Sequence, residues 1–212
     1  MKIKRIHDIS LPLYEGMITY PNNTPFSIKE RVVSSGSLLA EIILGSHTGT
    51  HTDAPRHQGC GEGNVDDYDL LHYLGEALVI DCTHRGPGEV VEVKDISNHA
   101  ISGKRVLLKT SNSERGFDSF YDDFTALGGD AAQYLHDNGA MLVGIDALSV
   151  KKRGSSDNRA HTELLEKNIP IIEGLDLSGV SEGPYFLSAA PLAIRASEGT
   201  PLRAILIEFD LA

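Results

Sequence analysis

Histidines 47, 51 and 57 and Asp53 fall within eleven residues, His47-Thr48-Gly49-Thr50-His51-Thr52-Asp53-Ala54-Pro55-Arg56-His57. Two imidazoles and one carboxylate are a recurrent catalytic set for zinc or a similar divalent ion, because three protein ligands leave a coordination position for water. Such a water titrates near neutral pH instead of ~15.7, which makes hydroxide available for hydrolysis. His57 lies two residues beyond Pro55, whose fixed φ stiffens the approach. It can act as a further ligand or as a proton shuttle, and the shuttle is the role read here. The plain alternative is a histidine-rich surface loop that binds nothing. That reading suits a lone histidine better than this constellation.

All four groups stand at odd positions, so the backbone shape that gathers them is the next question. A helix would align His47 with His51 but turn Asp53 about 200° away from His51. Thr48, Thr50 and Thr52, with Gly49 and Pro55, are also poor helix interior. An extended chain places all four on one face, yet its rise of roughly 3.3 Å per residue leaves His47 and His51 about 13 Å apart. The chain must therefore curl. Gly49 permits the bend and is expected to leave room for an ion.

Other elements must position this stretch. Residues 26–33 and 38–44 read as a strand pair turned by Ser34-Ser35-Gly36-Ser37 and leading into the motif, which would hang the site from a sheet. Residues 6–11 alternate like a strand, and His7 is read as structural. Residues 16–25 read as a loop in which Met17, Ile18 and Tyr20 are apolar groups fit to line a pocket. After the motif, Gln58 to Asn64 suits a pocket rim, and Asp66, Asp67 and Asp69 suit a solvated helix start. Residues 70–74 and 93–98 read as short helices, and 77–82 and 105–109 as buried strands. Residues 130–136 form a helix stopped before Gly139, and 141–146 a buried strand. Lys151-Lys152-Arg153 reads as a solvated basic loop, its alternative being guidance of a carboxylate-bearing substrate. Asp157 or Asn158 can cap a helix over 159–167 with His161 in its first turn. Ile169-Pro170-Ile171-Ile172 then ends at Glu173, a carboxylate closing a buried strand, which is costly unless it is paired or binds a metal. Residues 185–194 and 204–209 read as closing strands.

The 212 residues are read as one domain spanning 1–212, α/β but dominated by β structure, with a few helices on a mixed sheet or barrel-like core. A formal net charge of -11 would repel nucleic acid and anionic membranes, so the expected partner is a small molecule. No apolar run follows the basic start, which predicts neither a signal peptide nor a membrane span, and a cytoplasmic protein. Cys60 and Cys82 make no disulfide framework; Cys82 reads as a buried strand residue and Cys60 lies close to the site.

The motif, His47-Thr-Gly-Thr-His51-Thr-Asp53-Ala-Pro55-Arg-His57, resembles the signature of the cyclase family of metal-dependent hydrolases, which includes bacterial kynurenine formamidases and isatin hydrolases. The helix-then-strand unit of residues 130–146 extends the likeness. The resemblance implies a swivelling β/β/α architecture and a homodimer or homotetramer. It also implies a histidine and a glutamate supplied twelve residues apart, a separation that His161 and Glu173 keep. With Asp53 as a bridge, the implied set of His47, His51, Asp53, His161 and Glu173 makes a two-metal site; a single metal, its remaining neighbours orienting the ligands, satisfies the residues as well. Zinc is the expected ion and manganese suits the same donors. The implied reaction is hydrolysis of N-formylkynurenine to kynurenine and formate by a metal-bound hydroxide, with His57 protonating the departing nitrogen. The family's tryptophan at the substrate pocket is replaced by Tyr20, the substrate-binding candidate. Opening of a cyclic amide such as isatin is the second enzymatic expectation, and a metal-binding protein without turnover the third.

Overall fold

The computed structural model describes residues 2–210. Its strands are β1 (Lys2–Asp8), β2 (Ser27–Val32), β3 (Leu38–Ile43), β4 (His51–Asp53), β5 (Leu74–Cys82), β6 (Val90–Val91), β7 (Arg105–Thr110), β8 (Ala126–Leu127), β9 (Leu142–Ile145), β10 (Ile171–Glu173), β11 (Gly183–Ser188), β12 (Gly199–Pro201) and β13 (Ile205–Asp210). The α-helices are α1 (Val93–Ile96), α2 (Asn112–Arg115), α3 (Gly129–Asp137) and α4 (Arg159–Leu165). Nine strands make one mixed sheet in the order β1-β13-β11-β5-β7-β9-β10-β4-β12. The run β5-β7-β9-β10 is parallel, and antiparallel strands extend it on both sides.

Parallel neighbours need crossover connections, and here these carry the helices: α1 between β5 and β7, α2 and α3 between β7 and β9, α4 between β9 and β10. Both faces of the sheet are covered. Val106 and Leu108 of β7 join Ile80, Val143 and Ile145 in the core that also takes Ala131, Ala132 and Leu135 of α3 and Leu164 and Leu165 of α4. Leu107, between them, points to the other face with Val79, Leu142, Ile172, Leu187 and Leu206. Coverage on both sides is why these strands are continuous apolar runs and not alternating ones. Burying each such leucine contributes roughly 1.5–3 kcal/mol.

The β-rich α/β reading stands, with differences of detail. The linear strand order leaves the sheet open, so the barrel-like alternative falls. The first strand lies earlier than residues 6–11: its ladder with β13 ends at Asp8, and Ile9 turns into the core. Of residues 70–74, only Leu70–His72 forms a 3-10 turn, and Leu74 already opens β5. Helix α4 stops at Leu165, short of residue 167, with Asn168 in the left-handed region. The strand expected over 185–194 ends at Ser188. The pair β2–β3 forms as read, in register from Ser27↔Ile43 to Val32↔Leu38, but as a separate two-stranded sheet. The motif therefore hangs from the large sheet, not from this hairpin. No helix among the described residues is long and apolar enough to cross a membrane.

Candidate active site

The motif is folded by two turns with a short strand between them. Residues 45–49 form the first, closed by hydrogen bonds from Thr48 N to Gly45 O (3.2 Å) and from Gly45 N to Thr48 Oγ1 (2.9 Å), and Gly49 takes φ 63°. Thr50 Oγ1 donates to Gly174 O (2.5 Å) and accepts from Leu11 N (2.8 Å), which pins the chain where it enters β4. β4 lies buried between β10 and β12, its His51 opposite Glu173 and its Asp53 opposite Ile171. The period-two alternation keeps His51 and Asp53 on one face, and the antiparallel register sets Glu173 beside them. Pro55 opens a 3-10 turn, Pro55–Gln58, that carries His57 back over the site. The extended reading holds for His51 and Asp53 only. Gly49 permits the expected bend, but it makes no room for an ion: a Cβ there would meet Leu13 Cδ2 at 2.6 Å.

The five expected metal donors and His57 meet in one place. His47 Nδ1 lies 2.9 Å from Asp53 Oδ1. His51 Nε2 is 3.3 Å from Glu173 Oε2 and 3.6 Å from Asp53 Oδ1. His161 Nε2 is 3.3 Å from Glu173 Oε1 and 3.8 Å from Asp53 Oδ2. The His57 ring centroid stands 4.1 Å from that of His47 and 6.0 Å from that of His161. His51, Asp53 and Glu173 form one triplet with the spacing of metal ligands, and His47, Asp53 and His57 form another. Asp53 belongs to both, as a bridging carboxylate would.

Burial makes this arrangement expensive without a cation. Asp53 is wholly inaccessible, and apart from the approach of His47 Nδ1 its oxygens, like the inward-facing His51 Nε2, lack hydrogen-bond partners among the described residues. Unpaired buried polar atoms are rare because each forfeits its hydration, so the donor set fits a divalent ion. His51 Nδ1 donates to Gly49 O (3.0 Å), which turns Nε2 toward the carboxylates. Burial pushes His51 down, but Glu173 and Asp53 overcome it and raise its pKa to about 9. Burial pushes Asp53 up, but His47, His51 and His57 hold it well below the usual carboxylate range. Glu173, pushed up by burial and by Asp53, is held low by His161 and His51. His57 is lowered, chiefly by burial, which favours its neutral ring.

His47, His51, His57, His161 and Glu173 open on a cavity of about 320 Å³ that Tyr20, Asn23, Gln58 and Lys151 also line. Tyr20 packs edge-on against Phe120 at 5.4 Å. Gln58 Oε1 accepts from Asn158 Nδ2 (3.3 Å), tying the His57 turn to the start of α4, which carries His161. Cys60 packs half-buried against the helix-side core, its thiol pushed up by burial. Val150 N donates to Glu173 Oε1 (2.7 Å) and fixes that carboxylate from the loop after β9.

Glu198 escaped the sequence reading. Its Oε1 lies 3.6 Å from His47 Nε2 and accepts from Ser46 Oγ (2.6 Å), while its carbonyl accepts from Ala54 N (2.9 Å). The next residue, Gly199, packs so closely that a Cβ would stand 2.6 Å from His47 Cε1. Only the Glu-Gly step before Thr200-Pro201 marked the place. Lys151, in the basic loop read as solvated or as guiding a carboxylate-bearing substrate, borders the cavity.

A family model described as "Putative cyclase" matches residues 7–152. The chain is 35% identical over 210 residues to a protein of Bacillus mycoides called kynurenine formamidase, covering 97% of this chain and 99% of that one. It is similar, at TM-score 0.84 and 34% identity, to a structure described as a "predicted metal-dependent hydrolase" from Bacillus stearothermophilus, covering 97% and 98% of the two chains. Isatin hydrolase A from Ralstonia solanacearum shares the fold at TM-score 0.83 and 22% identity, covering 97% of this chain and 92% of that one. The curled histidine motif, the open mixed sheet that carries it and these likenesses along nearly the whole length agree: the chain belongs to the cyclase family.

Proposed function

We propose that this chain is a metal-dependent amide hydrolase of the arylformamidase type, converting N-formylkynurenine to kynurenine and formate. The observation that carries the reading is the convergence of His47, His51, Asp53, His161 and Glu173, with the unsatisfied buried atoms of His51 and Asp53, beside a cavity that His57 also lines. The relatives called kynurenine formamidase support the choice of substrate. In this reading His47, His51, Asp53, His161 and Glu173 would hold the metal, as one ion or two. Zinc is the proposed ion, with manganese suited to the same donors. When bound, such an ion supplies Lewis acidity toward the carbonyl and a nucleophile at neutral pH. Asp53 and Glu173 fix the donor geometry, and Val150 N holds Glu173 in place. His57, kept neutral by burial, takes the proton of the attacking water and returns it to the departing nitrogen as the carbon–nitrogen bond breaks. Tyr20 offers an aromatic wall to an aryl substrate. A homo-oligomer is part of the proposal, supported by the exposed Val32, Leu38 and Ile42 of the β2–β3 hairpin.

The test is steady-state hydrolysis of N-formylkynurenine by metal-stripped protein and after reconstitution with zinc or manganese, with isatin in parallel. Metal-restored turnover of the formamide is expected. Metal binding without turnover of the formamide would remove the substrate assignment. His57→Ala is expected to lower turnover about 10²–10⁴-fold with metal content retained; undiminished activity would remove its proton-transfer role.

A further inference from the structure

We propose that Lys151 forms a carboxylate-binding subsite of the reaction cavity, so that the substrate class is amides carrying a carboxylate at the end remote from the scissile bond. The inference rests on the amide-hydrolase reading above and names the side chain that would read the carboxylate of its substrate.

The basic run Lys151-Lys152-Arg153 distributes its three charges among different surroundings. Arg153 is neutralised by Asp122 at 2.5 Å, and its guanidinium lies 5.5 Å over the Tyr20 ring and 5.1 Å over that of Phe120. Lys152 borders a separate cavity where α3 and α4 begin, with Glu92, Asp130 and Asp157 among its walls. Lys151 alone of the three borders the cavity of the histidine cluster, and among the described residues no carboxylate approaches it within salt-bridge distance. Asp157 feels its charge only at longer range.

Its placement is not that of a drifting surface lysine. Val150 N is bonded to Glu173 Oε1 (2.7 Å), and Lys151 N to Ser149 Oγ (3.2 Å), so the backbone that enters Lys151 is held, and the residue before it is bonded directly to Glu173. Lys151 is half-buried. An ammonium beside a cavity and without a carboxylate partner, in a chain of net charge -11 with acids to spare, is placed to meet an anion that enters there. Among the described residues Glu173 is the carboxylate that lines that cavity, and it is engaged by the imidazoles of His51 and His161. The ammonium is a compact charge with three rotatable donors, suited to a carboxylate approached from varied directions. Tyr20, wedged against Phe120 under Arg153, borders the same cavity, so an aryl ring on Tyr20 and a carboxylate on Lys151 can be held together.

The test compares wild type with Lys151→Met on N-formylkynurenine and on 2-formamidoacetophenone, the same aryl formamide without the amino-acid chain. The ratio of kcat/KM for the carboxylated over the neutral substrate is expected to fall about 10–100-fold, chiefly through KM, as the loss of one charged hydrogen bond implies. Lys151→Arg is expected to recover part of it. A ratio that does not move overturns the proposal, even where both activities fall. Calorimetric binding of kynurenine and of 2-aminoacetophenone to the metal-loaded protein separates the two readings. If neither formamide is hydrolysed while kynurenine binding alone is weakened by Lys151→Met, the subsite stands and the hydrolase reading falls. Equal effects on both ligands, or no binding of kynurenine to wild type, remove the subsite.

Discussion

His47 and His51 offer opposite ring nitrogens to the carboxylate between them. His51 turns Nε2 inward because its Nδ1 is bonded to the Gly49 carbonyl, whereas His47 turns Nδ1 inward and leaves Nε2 toward Glu198. A histidine that binds metal through one nitrogen must carry its proton on the other, and an acceptor for that proton fixes both tautomer and ring orientation. Glu198, anchored by Ser46, stands where that acceptor is needed. Glu198→Ala is therefore expected to weaken metal binding about 10–100-fold in a chelator competition, with Glu198→Gln, which keeps an acceptor oxygen, in between. Unchanged affinity in the alanine variant would dismiss this orienting role. At this scale His47, His51, Asp53 and His57 were legible because four uncommon groups in period two leave few structural alternatives. Glu198 was not, since nothing in its spacing links it to residues so far back in the chain. For Lys151 two readings stood side by side, because a run of like charges says nothing about each side chain's surroundings.

The elements of the site are held at their closest approach by two glycines. Gly174, directly after the proposed metal donor Glu173, takes φ 71°, and a Cβ there would stand 2.5 Å from Gly49 O, in the turn that joins His47 to His51. Gly174→Ala must push that turn away from β10, separating the histidines from Glu173. It is expected to lower stability by at least the ~1–3 kcal/mol of a strained left-handed residue and to weaken metal binding as well. Gly154→Ala is the control, since Gly154 has φ 75° and nothing within 4 Å of its Cβ position. Denaturant midpoints and metal titrations on the pair check this; equal behaviour of the two variants would show that the close approach does not hold the site. The long elements were read well because their signal is cumulative: β5, β7 and β9 are apolar runs covered on both faces, and α3 ends at its glycine. The short ones were not. β12 has three residues, Gly-Thr-Pro, whose strand character comes only from pairing with β4. Tertiary pairing also decided where β1 and β11 end.

Across the whole molecule, two kinds of linkage connect the site to stability. Asp146, fully buried just after β9, accepts from Thr110 N (2.8 Å), Thr110 Oγ1 (2.6 Å), Ser113 N (3.1 Å) and Ser113 Oγ (2.7 Å), tying β7 and α2 to the loop that leads to Val150. Burial raises its pKa to about 6 against those donors. A folded value above the unfolded one, ~3.9, means that Asp146 adds stability below about pH 4 and that this contribution is lost as the pH rises to about 6. Relative to Asp146→Asn, wild type should then lose about 2–3 kcal/mol of unfolding free energy between pH 4 and 7. A pH-independent difference would mean that this carboxylate is ionised throughout. The second linkage is the metal. The proposed donors come from the turn before β4, from β4, from α4 and from β10, so a bound ion joins the early part of the chain to its last third. An ion that binds only the folded chain contributes ~2.7 kcal/mol at a hundred times its Kd. For a chain of this length that is a Tm rise of about 5–11 °C, reversed by a chelator. His51→Ala should abolish most of the rise because it removes a donor from the most deeply buried triplet, whereas His57→Ala should leave most of it. A Tm indifferent to both zinc and manganese would mean that the buried donors do not act together on one ion.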